Sequence, residues 1–157
     1  MTFFDNKNQN MWVNRGKLET NGFELYLRYH TLKFTPYINY TYNDSRDDDG
    51  KLVPEIAYHS INAGILYAYK NKLKFNVSGN YLGRRKNPHV IPATGKDIVN
   101  PAFVVNSVLT YSDFYNVDIQ LIGKNIFDTR YYHTSNRPAS RFRQPQRTIM
   151  LKIEYKF

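Results

Sequence analysis

The 157-residue sequence contains no cysteine. That removes disulfides, zinc–thiolate sites and thiol nucleophiles together. Long hydrophobic runs are missing too. The longest stretch free of Asp, Glu, Lys and Arg runs from Ile98 to Ser112, and Asn100, Pro101, Asn106, Ser107 and Thr110 interrupt it. A helix that spans a bilayer needs about 20 mostly apolar residues, so the chain has none. The N-terminal MTFFDNKNQN lacks a basic segment followed by an apolar one and does not read as a secretory signal. On that ground the protein is either cytoplasmic or carries its signal on a part of the chain outside this sequence. Acidic residues are outnumbered: 13 Asp+Glu against 22 Lys+Arg leave a formal charge of +9. Aromatics are abundant, at 16% of residues with 14 Tyr and 10 Phe. Together with Ile, Leu and Val they exclude a disordered chain. The length is that of about one ordinary domain.

Apolar and polar residues alternate along most of the chain, and period-two alternation predicts strands. Ile149, Leu151, Ile153, Tyr155 and Phe157 alternate with polar Thr148, Lys152, Glu154 and Lys156. The same holds for Tyr115, Val117, Ile119 and Leu121, and for Phe103, Val105, Leu109 and Tyr111, where Ser107 and Val108 break the pattern. Further runs are Leu73 to Tyr81, Ile61 to Tyr69, Phe34 to Tyr42 and Phe23 to Tyr29. The result is about seven strands of roughly 10 residues or more, against about 5 to 6 in ordinary sheets and about 9 to 11 for a tilted strand crossing a bilayer. Connections alternate as well. Short ones are expected at His30-Thr31, Lys70-Asn71-Lys72 and Ser112-Asp113-Phe114, and long ones at 43–55, 84–100 and 128–146.

Short turns at one end and long loops at the other are the asymmetry of an outer-membrane barrel. The aromatics gather at strand ends. Tyr29, Tyr69, Tyr111, Tyr155 and Phe157 fall on the short-turn side, and Tyr81 on the long-loop side. A ring with an apolar body and a polar hydroxyl suits the headgroup layer. A soluble antiparallel sandwich or small barrel also alternates, but strand length, loop asymmetry and two aromatic belts separate the two. The expected fold is therefore all-β, an antiparallel up-and-down transmembrane β-barrel segment. Seven strands cannot close in the even-numbered way of bacterial barrels. An open edge in lipid leaves unpaired backbone groups at several kcal/mol each. Residues before Lys17 are too polar to supply an eighth strand, so the chain is expected to be the C-terminal portion of a larger barrel.

The segment Gly123-Lys124-Asn125-Ile126-Phe127-Asp128-Thr129-Arg130-Tyr131-Tyr132 resembles the V-K-N-L-F-D-x-x-Y signature of TonB-dependent outer-membrane receptors, which lies just before their last strand. Pro138-Ala139 and Gln144-Pro145-Gln146-Arg147-Thr148 resemble that family's P-x-P-R lead-in to the last strand. Phe157, preceded by Tyr155, matches the closing aromatic of outer-membrane proteins, and Asn21-Gly22-Phe23-Glu24 resembles a G-x-E strand opening. Gly123 departs from the signature, where a β-branched residue is commoner. The resemblance covers nearly the whole chain. It implies a barrel of about 22 strands with a plugged lumen. Residues 1–157 would hold the last seven strands and three external loops, with the plug domain and earlier strands absent. It further implies import energised by the TonB complex through that absent plug. The C-terminal strand would be handled by the barrel assembly machinery, in the Gram-negative cell outer membrane.

The expected external loops are basic. Arg84, Arg85, Lys86 and His89 lie in one, and Arg130, Arg137, Arg141, Arg143 and Arg147 in the next. Arg presents a planar fork suited to carboxylates, phosphates and catecholate-type anions. Arg84, Arg85, His89, Arg137, Arg141 and Arg143 are thus candidates for capturing an anionic metal-chelate ligand. Contact with lipopolysaccharide phosphates would use the same chemistry. The acidic tip around Asp44, Asp47, Asp48, Asp49 and Gly50 lacks the D-x-D-x-D-G spacing of a calcium loop. His30, His59, His89 and His133 have no metal-ligand spacing. Ser135 and Ser140 have no nucleophile elbow. No metal, cofactor or catalytic residue is expected. The leading function is outer-membrane receptor-mediated transport of a scarce nutrient, foremost a ferric siderophore. The alternatives are a small complete outer-membrane barrel, or a soluble basic β-domain binding nucleic acid. The latter would set Lys and Arg beside the aromatics on one exposed face. Here the aromatics share their face with Leu, Ile and Val, so no nucleic-acid partner is expected.

Overall fold

A computed structural model describes residues 2–6, 9–13, 16–70, 72–137 and 140–157, with side chains from residue 16 onward. Asn71 of the expected short turn and Pro138-Ala139 of the lead-in motif lie outside the described residues. Among those described there is no helix. Seven strands form one sheet: β3 (Leu18–Arg28), β4 (Phe34–Asp47), β5 (His59–Tyr69), β6 (Leu73–Leu82), β9 (Ala102–Phe114), β10 (Val117–Lys124) and β13 (Thr148–Tyr155). Their order is β13-β10-β9-β6-β5-β4-β3, a meander in which each strand pairs antiparallel with its neighbour in the chain. β1 (Thr2–Asn6) and β2 (Gln9–Val13) pair only with each other, so neither adds an eighth strand to the sheet. β3 and β13 are its two edges, and they do not pair with one another.

The alternation in sequence becomes rows across the sheet. Leu25, Tyr40, Ile61, Tyr81 and Phe103 are successive Cα partners at one height. Phe34, Tyr67, Phe75, Leu109, Leu121 and Leu151 form a second row, and Tyr69, Leu73, Tyr111, Ile119 and Ile153 a third. Residues two apart share a face, so all these side chains point to one side, and they are largely exposed there. A sheet that turns its greasy face outward is the inverse of a soluble sheet and suits lipid. Tyr29, Tyr69, Tyr111 and Tyr155 lie on that face near the short turns, where the Tyr155 and Phe157 rings stand 5.1 Å apart. Tyr81 lies towards the long loops.

The opposite face is polar. Asn39, Asn62 and Asn80 are Cα partners in one row, and Asn62 Nδ2 donates to Asn80 Oδ1 at 2.5 Å. Lys152 pairs with Glu154 at 2.7 Å, and Lys156 with Asp118 at 2.9 Å. Ser107 and Val108, the two breaks in alternation, do not shift the register. Ser107 faces Gly123 across β9–β10 on the apolar side, and Val108 faces Ile122 on the other.

The short connections are 29–33, 70–72 and 115–116. The last differs from the expected Ser112-Asp113-Phe114. β9 continues through those residues, and the chain reverses at Tyr115-Asn116, both with positive φ (51° and 62°). That is the conformation of a two-residue type I′ hairpin, whose twist matches the flanking strands. Tyr115 therefore sits at the turn tip, 85% exposed, and not within β10 as the alternation suggested. At the other end of the sheet the connections are long: 48–58, 83–101 and 125–147.

Candidate functional site

The three long connections are built on the strands that carry them. In the first, β4 runs on to Asp47 and a turn follows. Asp47 closes it by accepting the amides of Asp49 (3.1 Å) and Lys51 (2.8 Å) on Oδ1. Asp44 pairs with Arg46 at 3.0 Å and Asp49 with Lys51 at 2.9 Å. Asp44, Asp47 and Asp49 of this acidic tip are thus engaged in local turn and ion-pair geometry. In the second connection, β7 (Arg85–Ile91) and β8 (Lys96–Val99) form a hairpin of their own. Its turn is closed by the Gly95 amide on the Ile91 carbonyl at 2.8 Å. Ile91 and Val99 are buried, which gives the hairpin a small apolar core.

The third connection starts with the Lys124-Asn125-Ile126-Phe127-Asp128 motif, whose geometry explains its residues. Asn125 adopts φ 49°, a left-handed conformation that Asn tolerates better than most residues. Its amide donates to Asn106 Oδ1 (3.0 Å), and its Nδ2 donates to the carbonyls of Thr129 (2.9 Å) and Pro145 (3.2 Å). Its Oδ1 accepts the Thr129 amide at 2.9 Å. Asp128 Oδ1 accepts the amide of Arg147 at 2.9 Å. Asn125 and Asp128 therefore clasp the start of the loop to its end. Ile126 folds back so that its Cγ2 lies 2.8 Å from where a Cβ on residue 123 would stand. Gly123 is thus the residue this packing requires, which accounts for its departure from the signature.

Beyond the clasp lie β11 (Tyr132–His133) and β12 (Phe142–Arg143), a short antiparallel pair. The three connections then meet. Glu55 N donates to Lys86 O at 2.8 Å, and Ala57 bridges Arg85, which joins the first to the second. Arg85 Nη2 donates to Tyr132 O at 3.0 Å, which joins the second to the third. Asn87, 0% exposed, donates to the carbonyls of His89 (2.8 Å) and Ser140 (3.2 Å) and accepts the Ser135 amide (2.8 Å). Ser135 and Ser140 share a hydroxyl–hydroxyl bond of 2.8 Å. This carboxamide has no solvent contact, yet both its nitrogen and its oxygen have backbone partners, which is the condition for burying it cheaply.

The six candidate ligand residues divide by environment. Arg85 is 4% exposed, holds the Tyr132 carbonyl, and has its guanidinium pKa lowered by burial. It acts as a strut between loops and presents no face to a ligand. Arg84 is exposed and borders a small cavity shared with Tyr58, Lys86 and Ile98. His89 is exposed and bonds Asn136 O through Nε2 at 3.1 Å. Arg137 and Arg143 are exposed. Arg141 lays its guanidinium over the Tyr132 ring, 3.8 Å from its centroid, a cation–π contact that fixes the plane of the fork. Arg85 and Arg141 thus meet around Tyr132, and His89 meets the chain next to Arg137. Arg84 stands apart, towards the first connection.

The sequence points to Asn125 only as one letter of the motif, and to neither Asn87 nor a cavity of about 290 Å³ beneath the third connection. The inner face of β6 and β9 (Asn80, Val104, Asn106) lines it together with Lys124, Tyr131 and His133. His133 has its pKa lowered below 6.5, first by burial and then by the Arg85 charge. Only the alternating parity of Asn80 and Asn106 pointed towards this wall. The loop residues that complete it carry no periodic signal.

The family described as TonB dependent receptor-like, beta-barrel, matches residues 2–140. No curated protein sequence matches the chain. Among solved structures, the ferripyoverdine receptor of the outer membrane of Pseudomonas aeruginosa superposes with TM-score 0.78 at 19% identity over 90% of this chain and 20% of its own. Fiu, the ferric-catecholate import receptor of E. coli K12, gives 0.77 at 20% identity over 99% and 23%. The FrpB iron transporter of Neisseria meningitidis gives 0.76 at 19% over 99% and 27%. The chain therefore spans about a fifth to a quarter of the length of these structures. The matched family consists of receptors and transporters rather than enzymes, working with TonB in ligand uptake. With most of its length matched, and its apolar face turned outward, this chain belongs to the TonB-dependent receptor β-barrels of the Gram-negative outer membrane.

Proposed function

We propose that the chain supplies the C-terminal barrel strands and the last three external loops of a receptor that imports a ferric siderophore or similar anionic metal chelate. The observation that carries this reading is the basic face of the third loop. Arg137 and Arg143 are exposed, and Arg141 is held flat on Tyr132. A guanidinium whose orientation is fixed before binding loses little freedom on gripping a carboxylate or catecholate. Arg84 and His89 extend the face from the second loop. The three solved structures of similar fold act on iron or iron chelates by their own descriptions, which favours the same cargo.

In this reading the energy comes from TonB through a plug that other residues of the receptor form. Tyr29, Tyr69, Tyr81, Tyr111, Tyr155 and Phe157 seat the barrel at the two headgroup layers, and β13 is the strand the assembly machinery engages. The test is direct binding of a panel of ferric siderophores to the whole receptor. Arg137→Ala, Arg141→Ala and Arg143→Ala together should raise Kd at least tenfold, since each lost charge-assisted bond is worth about 1.5–3 kcal/mol. Unchanged Kd with equal receptor levels refutes the assignment.

A further inference from the structure

We infer that Asn87 is a positioning residue that fixes the third external loop against the second, so that His89, Arg137 and Arg141 meet a ligand as one preformed face. This rests on the reading of these loops as the ligand-capturing face and adds how that face is held. Asn87 sits in β7 and is 0% exposed. Through Ser140 and Ser135 its carboxamide reaches residues 53 and 48 positions away.

These bonds bracket the basic residues. Ser135 N is two positions before Arg137, and Ser140 O immediately precedes Arg141. Ser135 Oγ also accepts the Arg137 amide at 3.1 Å, and Ser140 Oγ donates to the Arg137 carbonyl at 3.2 Å. The backbone of Arg137 is thus gripped on both sides by two serines, which Asn87 in turn holds from the other loop. His89 Nε2 on Asn136 O and Arg85 Nη2 on Tyr132 O flank the same seam. Asn87 is fully buried, as Ser135 is, and its carboxamide donates within its own loop while it both donates to and accepts from the third loop. Removing its side chain leaves three backbone groups without partners in a site closed to water, which frees the loop to move away. A binding-competent arrangement populated at a fraction f weakens apparent affinity by 1/f, with no change at the contacts themselves.

Paired spin labels can be placed on cysteines introduced at Ala93 and Asn136, one on each loop, in the whole membrane-embedded receptor with any cysteine elsewhere in it replaced; residues 1–157 contribute none of their own. With Asn87 present, the distance distribution should be a single narrow peak. Asn87→Ala should broaden it severalfold and raise the half-saturation concentration for ferric-siderophore uptake about tenfold, while the maximal rate stays within about twofold of the starting receptor. If Asn87→Ala does not reach the membrane, Asn87→Ser takes its place. Its hydroxyl can replace only part of the three carboxamide bonds and should broaden the peak less. A peak that stays narrow in the assembled variant overturns the inference, as does broadening with no change in half-saturation. Failure of the unaltered receptor to bind any ferric siderophore would instead count against the reading of function, and leaves the distance measurement to decide the pin.

Discussion

One carboxamide joins the two ends of the third long connection: Asn125, just after β10, donates from Nδ2 to the carbonyl of Pro145, just before β13, at 3.2 Å. The same group holds both the carbonyl and the amide of Thr129. The signature motif at Lys124–Asp128 is therefore a structural clasp. Asn125→Ala should destabilise the receptor by about 1–3 kcal/mol from orphaned backbone partners, with roughly 1 kcal/mol more for Ala at positive φ. Asn125→Gly should recover only the second part. Urea unfolding midpoints of the three proteins check this, and equal midpoints for Gly and Asn would sink the clasp.

Ile126 fills the space above Gly123. A Cβ on residue 123 would meet Ile126 Cγ2 at 2.8 Å and Ser107 Oγ at 3.1 Å. Gly123→Val should cost about 1–3 kcal/mol by overpacking. Adding Ile126→Ala should return part of that loss, a coupling visible in a double-mutant cycle. Strict additivity of the two substitutions would show that the contact is not what selects glycine.

At the C-terminus, Phe157 and Lys156 point to opposite faces. Phe157 packs against Tyr155 on the apolar side, and Lys156 reaches Asp118 on the polar side at 2.9 Å. Deleting Phe157 should lower the amount of receptor in the outer membrane. Lys156→Ala should leave it unchanged, because an exposed ion pair contributes little. Quantitative blotting of outer-membrane fractions distinguishes them, and equal levels for both variants would remove the role assigned to the terminal ring.

His133 gives the outer seam a pH dependence. Burial and the Arg85 charge hold its pKa below 6.5 while the loop is docked. Undocked, the ring takes up a proton more readily. The docked state therefore loses stability as pH falls from about 6.5 towards the lowered value, and is indifferent above that window. Amide exchange at Tyr132 and Ser135, corrected for intrinsic rates, should quicken between pH 7.5 and pH 5. His133→Gln should flatten the response, and an unaltered response in that variant would point to another group.

Much of the sheet was legible because a strand between lipid and a polar lumen feels two environments, and its sequence records them every second residue. Even Ser107 and Val108, which break the alternation, keep the register their neighbours impose. The turn at Tyr115-Asn116 was misplaced because an aromatic at a hairpin tip extends the apolar series by one step. The outer loops were legible only as basic. Their architecture depends on backbone carbonyls met by side chains 47 to 53 residues away, and a carbonyl has no letter in the sequence. Arg85 and Arg84 are adjacent in sequence and opposite in role, one buried and one exposed, and nothing in the two letters separates them.

The seam between the loops also bears on immunity. The exposed residues that flank it, Glu55, His89 and Asn136, are brought together although long stretches of chain separate them. An antibody raised against the folded receptor would recognise that composite epitope. Serum raised against a peptide copied from any single loop would lack it.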